Sequence, residues 1–400
     1  MKHNWEYKRL GDVCFPKKAI GRANAIYSAE DEISYFDISS IDNQTKQATS
    51  YTTITFGNAP SRAQQIIENG DILYSLVRPN LKNIALLKTN ATNKVGTSGF
   101  CILRGKDVLP HYILYFVLSA RFTDYILTRA TGASYPAVTE DDVRRATIPI
   151  PPMKIQEQIV AELDKLNEMI AIRKEQLKEF DNLAQSLFYA TFGDPITNAK
   201  GWPISKLKSL ASLITNGTTP KGGQAVYVDS GITFFRSQNV WRNKIIMDDI
   251  AYLDENTNAS MKSSMLKHND ILITKTGRIN TENSSLGRSA LFEGEDYTAN
   301  INGHVYLVRL NEGMCPRFVL SILLSHSFHD LIRKVCVGAI DKRQLNLTHI
   351  EQFPIITPPL ELQERFVSQI ELIEKQKEAI EGSIVELQTL LDSRMDYWFN

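Results

Sequence analysis

Residues 151–180 read PPMKIQEQIVAELDKLNEMIAIRKEQLKEF, and residues 358–387 read PPLELQERFVSQIELIEKQKEAIEGSIVEL. Each stretch opens on a double proline and carries Gln-Glu four residues after the second proline. Proline fits the first helical turn and clashes deeper in, so each pair marks a helix start. From Met153 to about Thr191 there is no proline or glycine. Apolar residues stand at Ile159, Leu163, Leu166, Ile170, Leu177, Phe180, Ala184 and Leu187, in alternating steps of four and three, with Arg173 in one slot. The second stretch repeats the pattern with Phe366, Ile370, Ile373, Ile380, Ile384, Leu387 and Leu391, and Lys377 in one slot. Four-three steps over more than three heptads predict helices packed as in a coiled coil. A helix of this length is a rod of roughly 55 Å at ~1.5 Å per residue. Two such rods are most economically packed on each other, and we expect them antiparallel. Leu166, Ile170 and Leu177 should then pair with Ile373, Ile380 and Ile384, with Arg173 and Lys377 sending their charged heads to water.

Working outward, the whole chain is written twice. Trp5 followed by Lys8-Arg9-Leu10 answers to Trp202 followed by Ser205-Lys206-Leu207, and Asn69-Gly70-Asp71-Ile72-Leu73 answers to His268-Asn269-Asp270-Ile271-Leu272. The segment from Pro110 to Gly132 answers to Pro316–Gly338. The matches keep their order, as a duplication requires. Each copy has the same plan: short β-rich runs such as 71–77, 85–88, 99–103, 270–274 and 305–310, then one apolar helix from the proline to the glycine, then the rod. The expected layout is two similar globular units at 1–152 and 202–359, long helices at 153–191 and 360–398, and a linker at 192–201. The fold class is α+β: two mixed α/β units, two long helices paired as an antiparallel coiled coil, and a pseudo-two-fold internal repeat.

The chain has 400 residues, with 43% hydrophobic and 22% charged, enough apolar content for a sizeable core. Lys+Arg and Asp+Glu are both 45, which excludes a uniformly basic coat and an acidic solvating chain. The charge is unevenly spread: net +4 over 1–150, −2 over 151–200, +3 over 201–357 and −5 over 358–400. Both globular units are mildly basic and both rods acidic. Cys14, Cys101, Cys315 and Cys336 form no CxxC, so reduced, mostly buried thiols are expected. No apolar run approaches the ~20 residues of a membrane span, and no secretory h-region is present; a soluble cytoplasmic chain is expected.

No catalytic constellation emerges. There is no GxxxxGK[ST] loop, no strand-GxGxxG-helix, no GxSxG elbow and no Asn/Asp-Pro-Pro-aromatic tetrad. His326 and His329 have a spacing that two metal ligands could use, but no third ligand is evident, so no metal site is expected. Polar and basic segments point instead to binding. In the first copy these are Arg62 and Gln64, then Arg78, Asn80 and Lys82 just after the 71–77 strand, and Ser134 and Tyr135 after Gly132. In the second they are Thr218 and Lys221, then Arg236, Gln238 and Asn239 beside Trp241, and Lys275, Arg278 and Asn280 after the 270–274 strand. Arg and Lys donate to guanine, and Asn and Gln pair with adenine. The same residues can equally stand in ordinary solvent loops. It is the equivalence of the two post-strand loops that favours nucleic acid.

Gly70-Asp71-Ile72-Leu73-Tyr74-Ser75 with Val77-Arg78-Pro79-Asn80-Leu81, the paired Pro-Pro-x-x-x-Gln-Glu starts, and Leu187-Phe188 together resemble the specificity (S) subunit of type I restriction-modification systems. The resemblance spans nearly the whole chain. It implies two target-recognition domains, each reading one half of a split, asymmetric site on double-stranded DNA, with the helices setting the gap. It implies a non-catalytic chain that docks two methyltransferase (M) subunits and works with restriction (R) subunits, away from any membrane. S-adenosylmethionine, ATP and magnesium would be bound by those partners and not by this chain. Gly382 departs from the first copy, where Glu175 stands, and a local kink is expected there. The competing class is a scaffold that assembles partners through the rods without touching DNA.

Overall fold

The structure, a computed structural model, describes residues 5–132, 134–279, 281, 283–339 and 341–400. The chain forms two compact units, Met1–Glu175 with Ile380–Asn400, and Gln176–Ala379. The helices used below are α1 (Pro110–Leu118), α2 (Ala120–Leu127), α3 (Met153–Phe192), α4 (Pro316–Leu324), α5 (His326–Val335) and α6 (Leu360–Phe399). The long helices do not stand as separate bodies: each contributes one part to one unit and the rest to the other.

In the first unit a five-stranded sheet runs in the order 100–103, 72–75, 84–86, 47–48, 41–42, beside a four-stranded sheet in the order 52–55, 32–36, 94–97, 63–66. The strand 72–75 is buried on both faces, since Ile72 and Tyr74 enter one cluster and Leu73 another. Ile72, Tyr74, Cys101 and Leu103 share a core with Tyr112, Phe116 and Val117 of α1 and with Ile159, Leu163, Leu166 and Ile170 of α3. Leu391 and Phe399, from the end of α6, complete that core. In the second unit strands 211–216, 305–310, 271–274 and 289–291 form the corresponding sheet. Its core takes Phe188 and Phe192 from the end of α3 and Phe366, Ile370 and Ile373 from the start of α6. The start of each long helix thus packs with the end of the other, so they run antiparallel.

Three devices explain why the repeat reads as it does. Asp71 is 1% exposed and takes a two-pronged contact from Arg104, at 2.7 and 2.8 Å; Asp270 and Arg309 repeat it at 2.8 and 2.7 Å. Planar guanidinium and carboxylate match this geometry, which offsets the cost of burying the charge. The glutamine of each Pro-Pro-x-x-x-Gln-Glu start is also buried. Gln156 accepts from Leu109 N at 3.1 Å and donates to Pro151 O at 3.0 Å; Gln363 accepts from Cys315 N at 3.1 Å and donates to Pro358 O at 2.8 Å. It ties the long helix to the residue that precedes the first proline-started helix of the pair. Third, the aromatic ends of the long helices are equivalent. Phe192 lies 4.7 Å from Phe318, and Phe399 lies 5.2 Å from Tyr112 and 5.8 Å from Phe116, by ring centroids.

The single helix expected between Pro110 and Gly132, and between Pro316 and Gly338, is in each case two. Ser119 (φ −63°, ψ 155°) breaks the first: its hydroxyl donates to Phe116 O at 2.7 Å and accepts from Phe122 N at 3.3 Å. Ser325 does the same between Ile322 O and Phe328 N. A buried serine that closes one helix and caps the next redirects the chain without leaving backbone groups unpaired. The kink expected at Gly382 is not seen as a break either, since α6 runs unbroken through it, and a Cβ there would meet nothing within 4 Å.

Candidate nucleic-acid interface

The strand 72–75 delivers the chain into a tight loop. Arg78 (φ 50°) and Lys82 (φ 48°) both adopt the left-handed conformation, flanking the turn Pro79–Leu81. Such conformations in non-glycine residues cost on the order of 1 kcal/mol and are held by their surroundings. Here Arg78 N donates to Pro136 O at 2.7 Å, and Val77 bridges Ala137. The segment after α2, with Ser134 and Tyr135, therefore lies along the post-strand loop. The Arg78 guanidinium sits 4.4 Å over the Tyr135 ring, and Tyr135 is 67% exposed. Arg78, Asn80 and Ser134 are exposed as well. Two segments some 55 residues apart in sequence thus present one cationic, aromatic, solvent-facing surface.

Lys82 is half-buried. Its ammonium donates to Leu118 O at 3.1 Å, at the end of α1, and its carbonyl accepts from Lys46 at 2.9 Å. Burial first, and then the Lys82 charge, push the Lys46 amine down to about 8. Arg62 and Gln64 are exposed on the other sheet, at its outer strand 63–66; Gln64 donates to Ser61 O at 2.8 Å.

The second unit repeats the loop pairing. Residues Thr276–Gly277, after strand 271–274, pair with Lys342–Gln344, which pairs in turn with Val337–Ala339. Lys275 is anchored by its backbone to His304 O and Leu345 N, and its ammonium lies 5.8 Å from the Tyr306 ring. Arg278 and Lys342 are exposed; Asn280 lies outside the described residues. Arg343 donates to Cys336 O at 3.4 Å, while its buried Nε meets no partner among the described residues. Lys342 and Arg343 escaped the sequence reading, although the repeat pointed to them: they stand 207 residues after Tyr135 and Pro136. The turns require glycine. Gly132 (φ 99°) and Gly338 (φ 109°) would place a Cβ 2.9 Å from Tyr135 O and 2.6 Å from Lys342 O.

Thr218 and Lys221 are exposed beyond Gly217, whose Cβ would fall 2.0 Å from Ile301 O. In the 236–239 segment the structure departs from expectation at Asn239. Asn239 is fully buried: it accepts from Arg236 N at 2.9 Å and donates to Ile246 O and Asp248 O. It braces a turn and presents nothing to a base edge. Arg236, 14% exposed in its side chain, is ion-paired to Asp249 at 3.1 Å, and Gln238 donates to the same carboxylate at 3.0 Å. The Gln238 and Arg236 bonds hold the Asp249 carboxyl below its ordinary range.

Among the helix residues, Leu166 and Ile170 are buried in the first unit and Ile373 in the second, while Ile380 is 9% exposed, Ile384 half-buried against the first core and Leu177 half-buried. Ile380 and Ile384 fall in the first unit and Leu177 in the second. Lys377 does not send its head to water: it reaches Asp181 at 2.7 Å and Glu374 at 3.5 Å. Burial opposes its charge, and these two carboxylates outweigh it, so the ammonium is held above its ordinary range. Among the described residues no group of three His, Cys, Asp or Glu could hold a metal ion, and no helix is long and apolar enough to cross a membrane.

The chain is similar to proteins of known kind. The chain is 22% identical over 97% of its length to the type I restriction enzyme MjaVIII specificity subunit of Methanocaldococcus jannaschii, covering 92% of that protein. It is 26% identical over 40% of its length to the HindI specificity subunit of Haemophilus influenzae, spanning 38% of that relative. Its fold matches a chain from a solved type I restriction-modification assembly, with a TM-score of 0.62, 24% identity, and 99% and 97% of the two chains covered. The model of the type I restriction modification DNA specificity domain matches twice, at residues 2–181 and 199–389, so the two copies read from the sequence are two such domains and the chain belongs to that family.

Proposed function

We propose that this chain is the DNA-recognition subunit of a type I restriction-modification complex, in which each unit reads one half of a bipartite, asymmetric site. The observation that carries this reading is the repeated pairing of the post-strand loop with the loop after the short helices. It brings Arg78 to Tyr135 in one unit and sets the strand before Arg278 against Lys342–Gln344 in the other. The framework beneath is the same in both units, whereas the exposed side chains differ, as two readers of different half-sites require. The scaffold reading is not favoured, because it gives these loops no purpose. The long helices set the gap between the half-sites and dock two methyltransferase subunits. Methylation and cleavage, with S-adenosylmethionine, ATP and magnesium, belong to the methyltransferase and restriction subunits.

The test is the double variant Arg78→Ala with Tyr135→Ala, assembled with its methyltransferase partner. Binding to the cognate site should weaken by roughly 1–3 kcal/mol with relaxed preference in one half-site if these side chains read bases. Unchanged affinity, salt dependence and preference would show the pair to be an ordinary solvent loop.

A further inference from the structure

The loop that carries Arg78 is tied down at more than one point. Its outgoing residue, Lys82, donates through its ammonium to Leu118 O at 3.1 Å, at the end of α1. A second hold comes from the turn of the hairpin formed by Ile41–Asp42 and Gln47–Ala48. Asn43 Nδ2 donates to Leu81 O at 2.7 Å, and Lys46 Nζ donates to Lys82 O at 2.9 Å. Lys46 Nζ also donates to Asn43 Oδ1, so the two side chains are joined to each other as well as to the loop. The turn that supplies them is set by Asp42, whose carboxylate accepts from Gln44 N at 2.8 Å and from Thr45 Oγ1 at 2.9 Å. Lys46 is left-handed (φ 55°), as Arg78 and Lys82 are. Its N donates to Asp42 O at 2.9 Å and its carbonyl accepts from Leu86 N at 3.0 Å. The main chain of Lys46 is thus fixed in the sheet while its side chain reaches the loop.

These bonds fall on the main chain of the loop and not on its exposed side chains. Two successive carbonyls after Arg78 are held, which fixes the path of a turn whose flanking residues both sit in conformations that side chains other than glycine avoid. Lys46 is half-buried, and burial together with the Lys82 charge works against its own charge, so the ammonium is kept there at a cost in solvation. The second unit uses its hairpin differently. Only Arg242 and Asn243 join its strands, Asn243 Nδ2 donates to Glu374 Oε1 at 2.9 Å on α6, and the post-strand residues Thr276–Gly277 are held by Lys342–Gln344. We propose that Lys46 and Asn43 are positioning residues of the first reader: they set the path of the loop that presents Arg78, and so govern selectivity in one half-site through the loop rather than by contact with bases. The inference rests on the DNA-recognition reading and deepens it.

The full chain, assembled with its methyltransferase partner, is assayed for methylation of the cognate site and of sites with one wrong base pair in either half. The first unit's half-site is the one that stays unchanged when residues 202–350 are exchanged for those of a relative. A wrong base pair normally costs a specific reader roughly 5–150-fold. Lys46→Met keeps the length of the side chain and removes the donor; it should lower that discrimination by about fivefold or more in the first half-site and leave it intact in the second. Asn43→Ala should lower it in the same half-site by less, and because Asn43 is exposed it carries the test if Lys46→Met does not fold. Lys46→Arg restores a cationic donor of similar reach and should keep the discrimination; a loss as large as in Lys46→Met would count against the proposal. A lower melting temperature with full discrimination in both halves would make the brace plainly structural and overturn the proposal, as would an equal loss in both halves. A wild type with no preference in either half would instead sink the recognition reading, and the proposal with it.

Discussion

Replacing Gln363 by methionine keeps the volume and removes the amide. In the folded chain that amide serves two backbone groups, accepting from Cys315 N at 3.1 Å and donating to Pro358 O at 2.8 Å, and it is 1% exposed. The variant therefore orphans a half-buried N–H and a buried C=O. Each such group costs about 1–3 kcal/mol, so the loss should total about 2–5 kcal/mol, a large share of an ordinary domain's margin. For a unit of this size 1 kcal/mol corresponds to roughly 2–4 °C. A drop on the order of 5–15 °C in the transition of the second unit is expected, followed by calorimetry on the full chain. Gln156→Met should do the same to the first unit, because Gln156 makes the repeated pair of bonds to Leu109 and Pro151. A shift under 1 °C in both variants would refute the claim that these glutamines lock the long helices to the globular layers.

Gly382→Ala fills open space on an unbroken helix and should stabilise the chain by roughly 0.5–1 kcal/mol, read as a higher melting temperature with unchanged DNA preference. His329 is held down to about 4 against an ordinary 6.5, so the unfolded state binds the proton first and stability falls as pH drops below about 6.5. His329→Gln should therefore remove a loss on the order of 1–2 kcal/mol between pH 7 and pH 5, seen as a flatter melting temperature over that window.

What the sequence made legible was whatever repeats. The Pro-Pro starts, the four-three steps and the Asp-Ile-Leu strands recur at near-constant offset, and the structure places helices at Met153–Phe192 and Leu360–Phe399 and strands at Ile72–Ser75 and Ile271–Thr274. The serine breaks were not legible, because Ser119 and Ser325 sit in runs whose apolar content reads as one helix; only the buried hydroxyl's two bonds decide otherwise. The meeting of Arg78 with Tyr135 depends on a tertiary bridge, Val77 to Ala137, that no local pattern announces. Asn239 misled for the converse reason: an amide able to read adenine is equally able to satisfy three backbone groups of a turn, and burial decides between the two uses.

The central claim is that two independent readers act through one chain, and exchange of one reader tests it most directly. Residues 202–350 are replaced by the matching segment of a relative, the chain is expressed with its methyltransferase partner, and methylated bases are mapped across the genome. One half of the bipartite motif should change, while the other half and the gap between them stay as they were. A change in both halves, or a motif that does not change at all, would contradict the assignment of one half-site to each unit.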